Sequence, residues 1–285
     1  MGRKRGSGEA GKRGRNSARG ALGAPFLHPI LRETPVAGPI PRFEIPEWRE
    51  RYRVVAGITG RGSGMGSGFD FGLWGKEPVG EVMSRWLAFR REMAGFSTVA
   101  LGNQVHGVEV MSLDTGCGWI QVEGIDGWTT TAPGILLTVT VADCVPLYLI
   151  APGRGVALLH AGWRGTAGGI LQRGLEQLRG RTGSPVSEIL LHCGVGICGN
   201  CYEVGSEVMQ GCGAPAEGDG PWHLDLRDRL VQQALALGLT QITVSPWCSA
   251  HDGPSFYSHR ASRGSDGRMV AYLGIEALAS NLLPE

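Results

Sequence analysis

The span 135–159 constrains the fold of this chain more than any other part of it. Residues 135–141 and 156–159 are apolar nearly throughout, with a further apolar stretch at 145–150 between them. Short runs of this kind, bounded by turn-forming residues, read as β-strands. The two outer runs each lead within three residues to a reactive side chain. One reaches Cys144 in Ala142-Asp143-Cys144, and the other reaches His160 at the head of His160-Ala161-Gly162-Trp163-Arg164-Gly165. Two strands that deliver a thiol and an imidazole to a common edge can build a site.

The chain has 285 residues and a formal charge of +1, which conceals an asymmetry. Seven of its 27 Lys and Arg residues fall within positions 1–19 (Arg3, Lys4, Arg5, Lys12, Arg13, Arg15 and Arg19), against Glu9 alone among the 26 acids. The remainder is therefore mildly acidic, which argues against a nucleic-acid-binding body. Residues 1–48, rich in Gly, Pro and Arg, read as a disordered basic tail and linker, with one catalytic domain over 49–285. The tail is Arg-rich and acid-poor like an organelle transit peptide, but it is low in Ser and has no apolar core of the secretory kind. No apolar run reaches the 18 residues or so that a membrane span needs. Seven scattered cysteines do not resemble a disulfide framework, and a reducing, cytoplasmic setting is the expectation. Nothing in the sequence speaks to oligomeric state.

The remaining elements follow from periodicity. Residues 53–58 form a short strand that runs into the glycine-rich loop Gly60-Arg61-Gly62-Ser63-Gly64, which fits neither a Walker sequence nor the dinucleotide fingerprint. Apolar residues at helical spacing (Val82, Met83, Trp86, Leu87, Phe89) predict a helix over 79–94. Strands are expected at 98–101, 135–141, 145–150 (weakened by Pro146), 155–159, 188–192 and 241–244. Helices are expected at 166–179, where Gly168, Gly169 and Gly174 weaken the pattern, and at 226–237. Short strands interspersed with a few helices indicate an α/β or α+β domain.

His106, Cys144 and His160 are the candidate metal ligands. A thiolate and two imidazoles suit zinc, and copper less selectively, and leave a fourth position open. A Cys–His nucleophile pair, or simple burial in the core, are the alternatives that residue type alone leaves open. Arg164 is a candidate for phosphate or carboxylate through its planar fork, assisted by a helix N-terminus, and Arg61 is a second anion candidate. Asp126, in Gly124-Ile125-Asp126-Gly127, reads by itself as a turn residue. The pair Cys198 and Cys201 has redox or half-zinc spacing, but no second Cys-x-x-Cys completes a four-cysteine site, so both read as small loop residues. Paired His-x-His motifs are absent, which sets aside multicopper oxidase chemistry.

These residues sit in segments that together resemble the YfiH, or laccase-domain, family. Its members are labelled polyphenol oxidase-like proteins, purine nucleoside phosphorylases or peptidoglycan editing factors. The matching segments are NQVHG at 103–107, TVADCVPLYL at 140–149, HAGWRGTAGGI at 160–170, GVGICGNCYEVG at 194–205 and FYSHR at 256–260 with GR at 267–268. The resemblance implies a layered αββα arrangement and a zinc site at His106, Cys144 and His160. It places Asp126 and Arg61 at active-site positions, and Tyr202, Glu203 and His259 more loosely. It implies phosphorolysis of adenosine, inosine or methylthioadenosine with a possible adenosine deaminase activity, so that a purine nucleoside and phosphate are the expected partners. Arg61 and Arg164 would then hold phosphate, with Asp126 a proton carrier or ribose ligand. A hydrolase of muramyl-amino acid precursors and a non-catalytic zinc scaffold are the alternatives. Two departures bear on substrate. The family's Gly-Pro-Ala-Ile-Gly-Pro reads Gly-Val-Gly-Ile-Cys-Gly here, and a family Asn near residue 70 is replaced within FDFGLWG.

Overall fold

The apolar runs in the middle of the chain are strands buried on both faces, which is why they lack a polar alternation. The computed structural model describes residues 1–2, 28–62 and 68–277. The first half comprises β1 (Thr34–Val36), β2 (Arg42–Glu44), α1 (Pro46–Tyr52), β3 (Val54–Thr59), α2 (Val79–Glu92), β4 (Thr98–Asn103), β5 (Val110–Ser112), β6 (Gly118–Glu123), β7 (Gly127–Thr130) and β8 (Ile135–Val141). There follow β9 (Val145–Ala151), β10 (Gly155–Ala161), α3 (Trp163–Gly168), α4 (Ile170–Thr182), β11 (Leu190–Cys193), β12 (Glu203–Val204), α5 (Ser206–Gly211), β13 (Trp222–His223), α6 (Leu226–Ala236), β14 (Gln241–Val244) and β15 (Met269–Ile275).

Two mixed sheets face each other. One has the order β1-β2-β3-β15-β8-β4-β6, and the other β14-β11-β9-β10-β7-β5. Alternate side chains along each strand divide between two cores, as the pleat requires. In β9, Tyr148 and Ile150 point between the sheets, with Trp128, Val139 and Leu158. Leu147 and Leu149 point outward, under Leu171 and Leu175 of α4 and Leu230 of α6. The outer face of the first sheet, Val55, Val99, Leu136 and Val270, is covered by Val82, Trp86 and Phe89 of α2. The result is four layers, αββα, and a mixed α/β class as the sequence suggested. No helix among the described residues is long and apolar enough to cross a membrane.

Several sequence expectations shift. The helix expected over 166–179 is two helices, because Gly169 takes φ 85° and ends α3 before α4 begins. That left-handed backbone suits glycine and breaks the hydrogen-bond ladder. Despite Pro146, β9 lies between β11 and β10. Pro146 stands only one residue inside the start of the strand, beyond the last β11 register pair at Leu147 and Cys193. A central position is thereby tolerated.

The tail-and-linker reading of 1–48 is overturned from residue 30 on. Residues 3–27, which hold all seven of the early basic residues, lie outside the described residues, as do Ser63 and Gly64 of the glycine loop. Beyond them, Leu31 N–H donates to Val244 carbonyl, and β1 and β2 add to β3 by antiparallel pairing. Glu33 is fully buried and accepts hydrogen bonds from His192 Nε2 (3.1 Å) and Ser245 Oγ (2.7 Å). Composition marked this stretch as linker, but strand pairing and one carboxylate placed against two core donors anchor it. Glu33→Ala strands both donors inside the protein, where an unmade hydrogen bond costs about 1–3 kcal/mol. The expected result is a lower urea midpoint at an unchanged m-value in equilibrium unfolding.

Candidate metal centre and active site

His106, Cys144 and His160 come from three different strand ends and meet at one edge of the sandwich. His106 follows β4, Cys144 joins β8 to β9, and His160 lies in β10. Their ligand atoms all lie within 4.8 Å of one another. The two imidazole rings sit 4.9 Å apart at 73°. His106 is exposed, Cys144 half-buried and His160 buried, so the cluster opens to one side.

The loop that presents His106 is built on Asp126. This carboxylate is fully buried and accepts three successive backbone N–H groups, from Val105 (3.2 Å), His106 (3.0 Å) and Gly107 (2.7 Å). Consecutive amides converging on one anion form a nest, and here it holds His106 at φ 61°, a left-handed conformation rare for residues other than glycine. Gln104 fixes the other side of the loop, donating to Thr140 carbonyl (2.8 Å) and accepting from Thr140 N–H (2.8 Å). Asp126 also accepts from His160 Nδ1 at 2.8 Å, leaving Nε2 of that residue for Cys144. A carboxylate behind a histidine is the usual support for a metal-binding imidazole. Burial opposes ionisation of Asp126, but the His160 hydrogen bond, the Gly107 amide and the His160 charge hold its carboxyl below the usual range.

Cys144 and His160 perturb each other. Burial disfavours the thiolate, but the charge of His160 and hydrogen bonds from both histidines overcome it and bring the thiol down to about 6. Burial likewise disfavours the imidazolium, and the Cys144 thiolate and Asp126 raise His160 to about 9. Without a cation, the site is thus a thiolate–imidazolium pair at neutral pH.

The donor set fits a divalent metal. One thiolate and two imidazoles is a three-ligand set with a vacant direction towards the cavity. Gly162 supplies the room: a methyl group there would lie 3.0 Å from Cys144 Sγ and 3.1 Å from the His106 ring, in the space between the ligands.

Asp143, next to the thiol, has φ 85° and is fixed just as firmly. Its carboxylate accepts from Ser249 Oγ (2.7 Å), Ser258 Oγ (2.7 Å) and Arg260 N–H (2.6 Å), which ties the 258–260 loop to the Cys144 turn. Sequence reasoning passed over Asp143, though its place in Ala142-Asp143-Cys144 was a signal that the turn itself needed an anchor.

The cluster lies at the wall of a cavity of about 890 Å³, which is also lined by Arg61, Arg164, Trp163, Tyr202, Tyr257 and His259. The anion candidates therefore reach the same space as the metal candidates, with two corrections. Arg61 is already engaged: it pairs with Asp266, donates to Gly253 carbonyl (3.2 Å) and stacks over Tyr257 (4.8 Å). Arg164 is exposed and stacks on Trp163 at 4.4 Å, but α3 is only six residues long and gives it little help from a helix dipole. Asp126 does not line the cavity. With its oxygens taken by four donors and no exposure, it orients His160 and His106 rather than carrying protons or binding ribose. Glu203 is exposed in β12 and does not line the cavity, and its carbonyl accepts from Arg260.

Comparison with known proteins gives the family of the chain. The profile of the family described as multi-copper polyphenol oxidoreductase laccase matches residues 56–276. The chain belongs to that family. It is 34% identical over 251 residues to the purine nucleoside phosphorylase YlmD of Geobacillus stearothermophilus, covering 78% of this chain and 90% of that protein. It is 36% identical over 162 residues to the adenosine deaminase RL5 of an unknown prokaryotic organism, covering 52% and 61%. The crystal structure of YlmD from Geobacillus stearothermophilus superposes with a TM-score of 0.73 at 29% identity, covering 86% of this chain and all of that one. Relatives of this kind make the protein an enzyme of the family.

Alkylation of chelator-treated protein checks the electrostatics. Because the Cys144 thiol is depressed, its thiolate persists at neutral pH and is lost only as pH falls through about 6. The rate of iodoacetamide modification at Cys144, followed by peptide mass spectrometry, is expected to be flat from pH 7 to 9 and to fall below 6. An ordinary cysteine would instead gain rate as pH rises through about 8.5.

Proposed function

We propose that this protein is a zinc-dependent purine nucleoside phosphorylase, acting on adenosine, inosine or methylthioadenosine. The observation that carries the reading is one cavity that unites a three-ligand N/S cluster, an exposed arginine and several aromatic faces. Its size is that of a small-ligand site with room for a nucleoside and phosphate. The names of the relatives supply the substrate class.

His106, Cys144 and His160 would hold the zinc ion, which when bound supplies Lewis acidity at its open position. Arg164 offers a planar fork for two phosphate oxygens, braced from behind by the Trp163 ring. Trp163, Tyr202 and Tyr257 line the same cavity, and the half-buried rings of Trp163 and Tyr202 would give a flat purine surfaces to stack against. The reaction joins a phosphate oxygen to the anomeric carbon and breaks the bond from that carbon to the purine nitrogen. The electron pair stays on the purine, which takes a proton as it leaves. Deamination of adenosine, the activity named for RL5, would use the same ligands to direct water to purine C6, with the amino group leaving as ammonia and the glycosidic bond kept.

A second reading rests on a specific observation. Cys144, His160 and Asp126 also have the order of a nucleophile, its base and an orienting carboxylate, and the thiol is already depressed. That chemistry would serve a hydrolase of muramyl-amino acid precursors and would need no metal.

The test is product analysis by mass spectrometry on metal-quantified protein given adenosine or inosine with phosphate. Free base and ribose-1-phosphate should appear, and should be lost both on chelation and in Cys144→Ala. Arg164→Ala should lower kcat/KM for phosphate roughly 10- to 100-fold, the worth of a charge-assisted hydrogen bond. Full activity of chelated protein on a muramyl-amino acid, with none on nucleosides, would replace the first reading with the second.

A further inference from the structure

Outside the cavity lies a second ligand cluster, assembled from a Cys-x-x-Cys and a Cys-x-x-His that are far apart in sequence. Cys198 and Cys201 belong to the loop after β11, and Cys248 and His251 to the loop after β14. The sequence reading of Cys198 and Cys201 as small loop residues missed this, because the completing half is a Cys-x-x-His 47 residues downstream rather than a second Cys-x-x-Cys. We infer that Cys198, Cys201, Cys248 and His251 form a second, structural metal site, a Cys₃His centre for one zinc-class divalent ion.

The distances support one ion rather than a larger group. All four ligand atoms lie within 4.8 Å of one another. His251 Nδ1 is 3.6 Å from Cys198 Sγ and 3.5 Å from Cys201 Sγ. A tetrahedron with Zn–S of about 2.3 Å and Zn–N of about 2.0 Å has edges of about 3.5–3.8 Å, so these separations are already those of ligands around a common centre. A two-iron cluster would need its ligand pairs spread wider across the second iron.

The surroundings are those of a metal knuckle. Cys201 N–H and Tyr202 N–H both turn back to Cys198 carbonyl (3.0 and 3.1 Å), closing the first ligand pair into a tight loop. Cys198 N–H points at Cys248 Sγ at 3.3 Å, the amide-to-sulfur contact that stabilises a thiolate. On the far side of His251, Nε2 faces Asp252 Oδ2 at 3.7 Å, and Asp252 also receives Cys248 N–H at 2.8 Å. That carboxylate orients both members of the second pair. All four residues form a closed set with no open direction into the active-site cavity, which marks a structural centre rather than a catalytic one. Cys198 also stands where the family segment quoted above has glycine.

The centre would tie together two loops that are otherwise joined by the Gly196–Cys248 bridge and the Ser249 N–H to Gly196 carbonyl bond. Tyr202, the residue after Cys201, lies on the cavity wall under Arg260 at 4.9 Å. The ion would thus brace one wall of the active site without touching substrate.

The test is metal stoichiometry of the full-length protein, purified under reducing conditions and measured by elemental analysis and native mass spectrometry. Wild type should hold two zinc ions per chain and Cys144→Ala one. Cys201→Ser and His251→Ala, chosen from the accessible side of the cluster, should each weaken retention of the other. Cobalt loaded into the Cys144→Ala protein should show the strong thiolate-to-metal absorption of a tetrahedral site with three sulfurs. The inference is overturned if folded Cys144→Ala binds no zinc or cobalt, if Cys198 and Cys201 are found as a disulfide, or if iron and sulfide are recovered in place of zinc. If the zinc count of wild type is one and it is lost in Cys201→Ser but kept in Cys144→Ala, this centre stands and the catalytic zinc reading falls.

Discussion

The Asp126 carboxylate sits where the two sheets of the sandwich come closest to sharing a residue. It lies at the start of β7 in one sheet, yet its side chain collects the amides of the loop that leaves β4 in the other. Its remaining acceptor capacity goes to His160, on β10. One buried anion therefore fixes two candidate ligands from opposite sheets, and Cys144, at the crossing from β8 to β9, joins them from the turn between the sheets. Removing an acceptor from so many donors inside a protein is costly, because each orphaned group loses its water without gaining a partner. The left-handed backbone of His106 is held by this arrangement.

The same arrangement governs charge. With Asp126 anionic behind it, His160 favours its protonated form, and a protonated His160 draws the Cys144 proton away. A divalent ion would take over the role of that proton as the positive partner of the thiolate. The metal-binding and nucleophilic readings of Cys144 thus share one electrostatic cause, and the presence of a bound ion is what separates them.

Much of this was legible in the residues. The strands at 135–141, 145–150 and 155–159 stand where the apolar runs put them, since burial on both faces leaves an unbroken hydrophobic signal. His106, Cys144 and His160 were recognisable by type and by motif. What was not legible depended on contacts distant in sequence. β15 lies at the centre of its sheet, but Met269–Ile275 follows a long Gly- and Ser-rich loop and was not singled out. Glu33 looked like linker because its two partners, His192 and Ser245, are more than 150 residues away. Asp126 looked like a turn residue because its environment, not its neighbours, defines its role. Arg61 looked available for an anion until Asp266 and Tyr257 were found beside it.

The wall of the cavity has two kinds of construction. On one side are strand ends and turns whose backbone is pinned by buried carboxylates, Asp126 and Asp143. On the other are exposed side chains, among them Arg164 in the first turn of α3 and His259 in a loop. Such a division separates a part that is fixed from a part that is free. The ligand cluster is held by buried backbone contacts, whereas the opposite rim can change one side chain at a time without the scaffold being refolded.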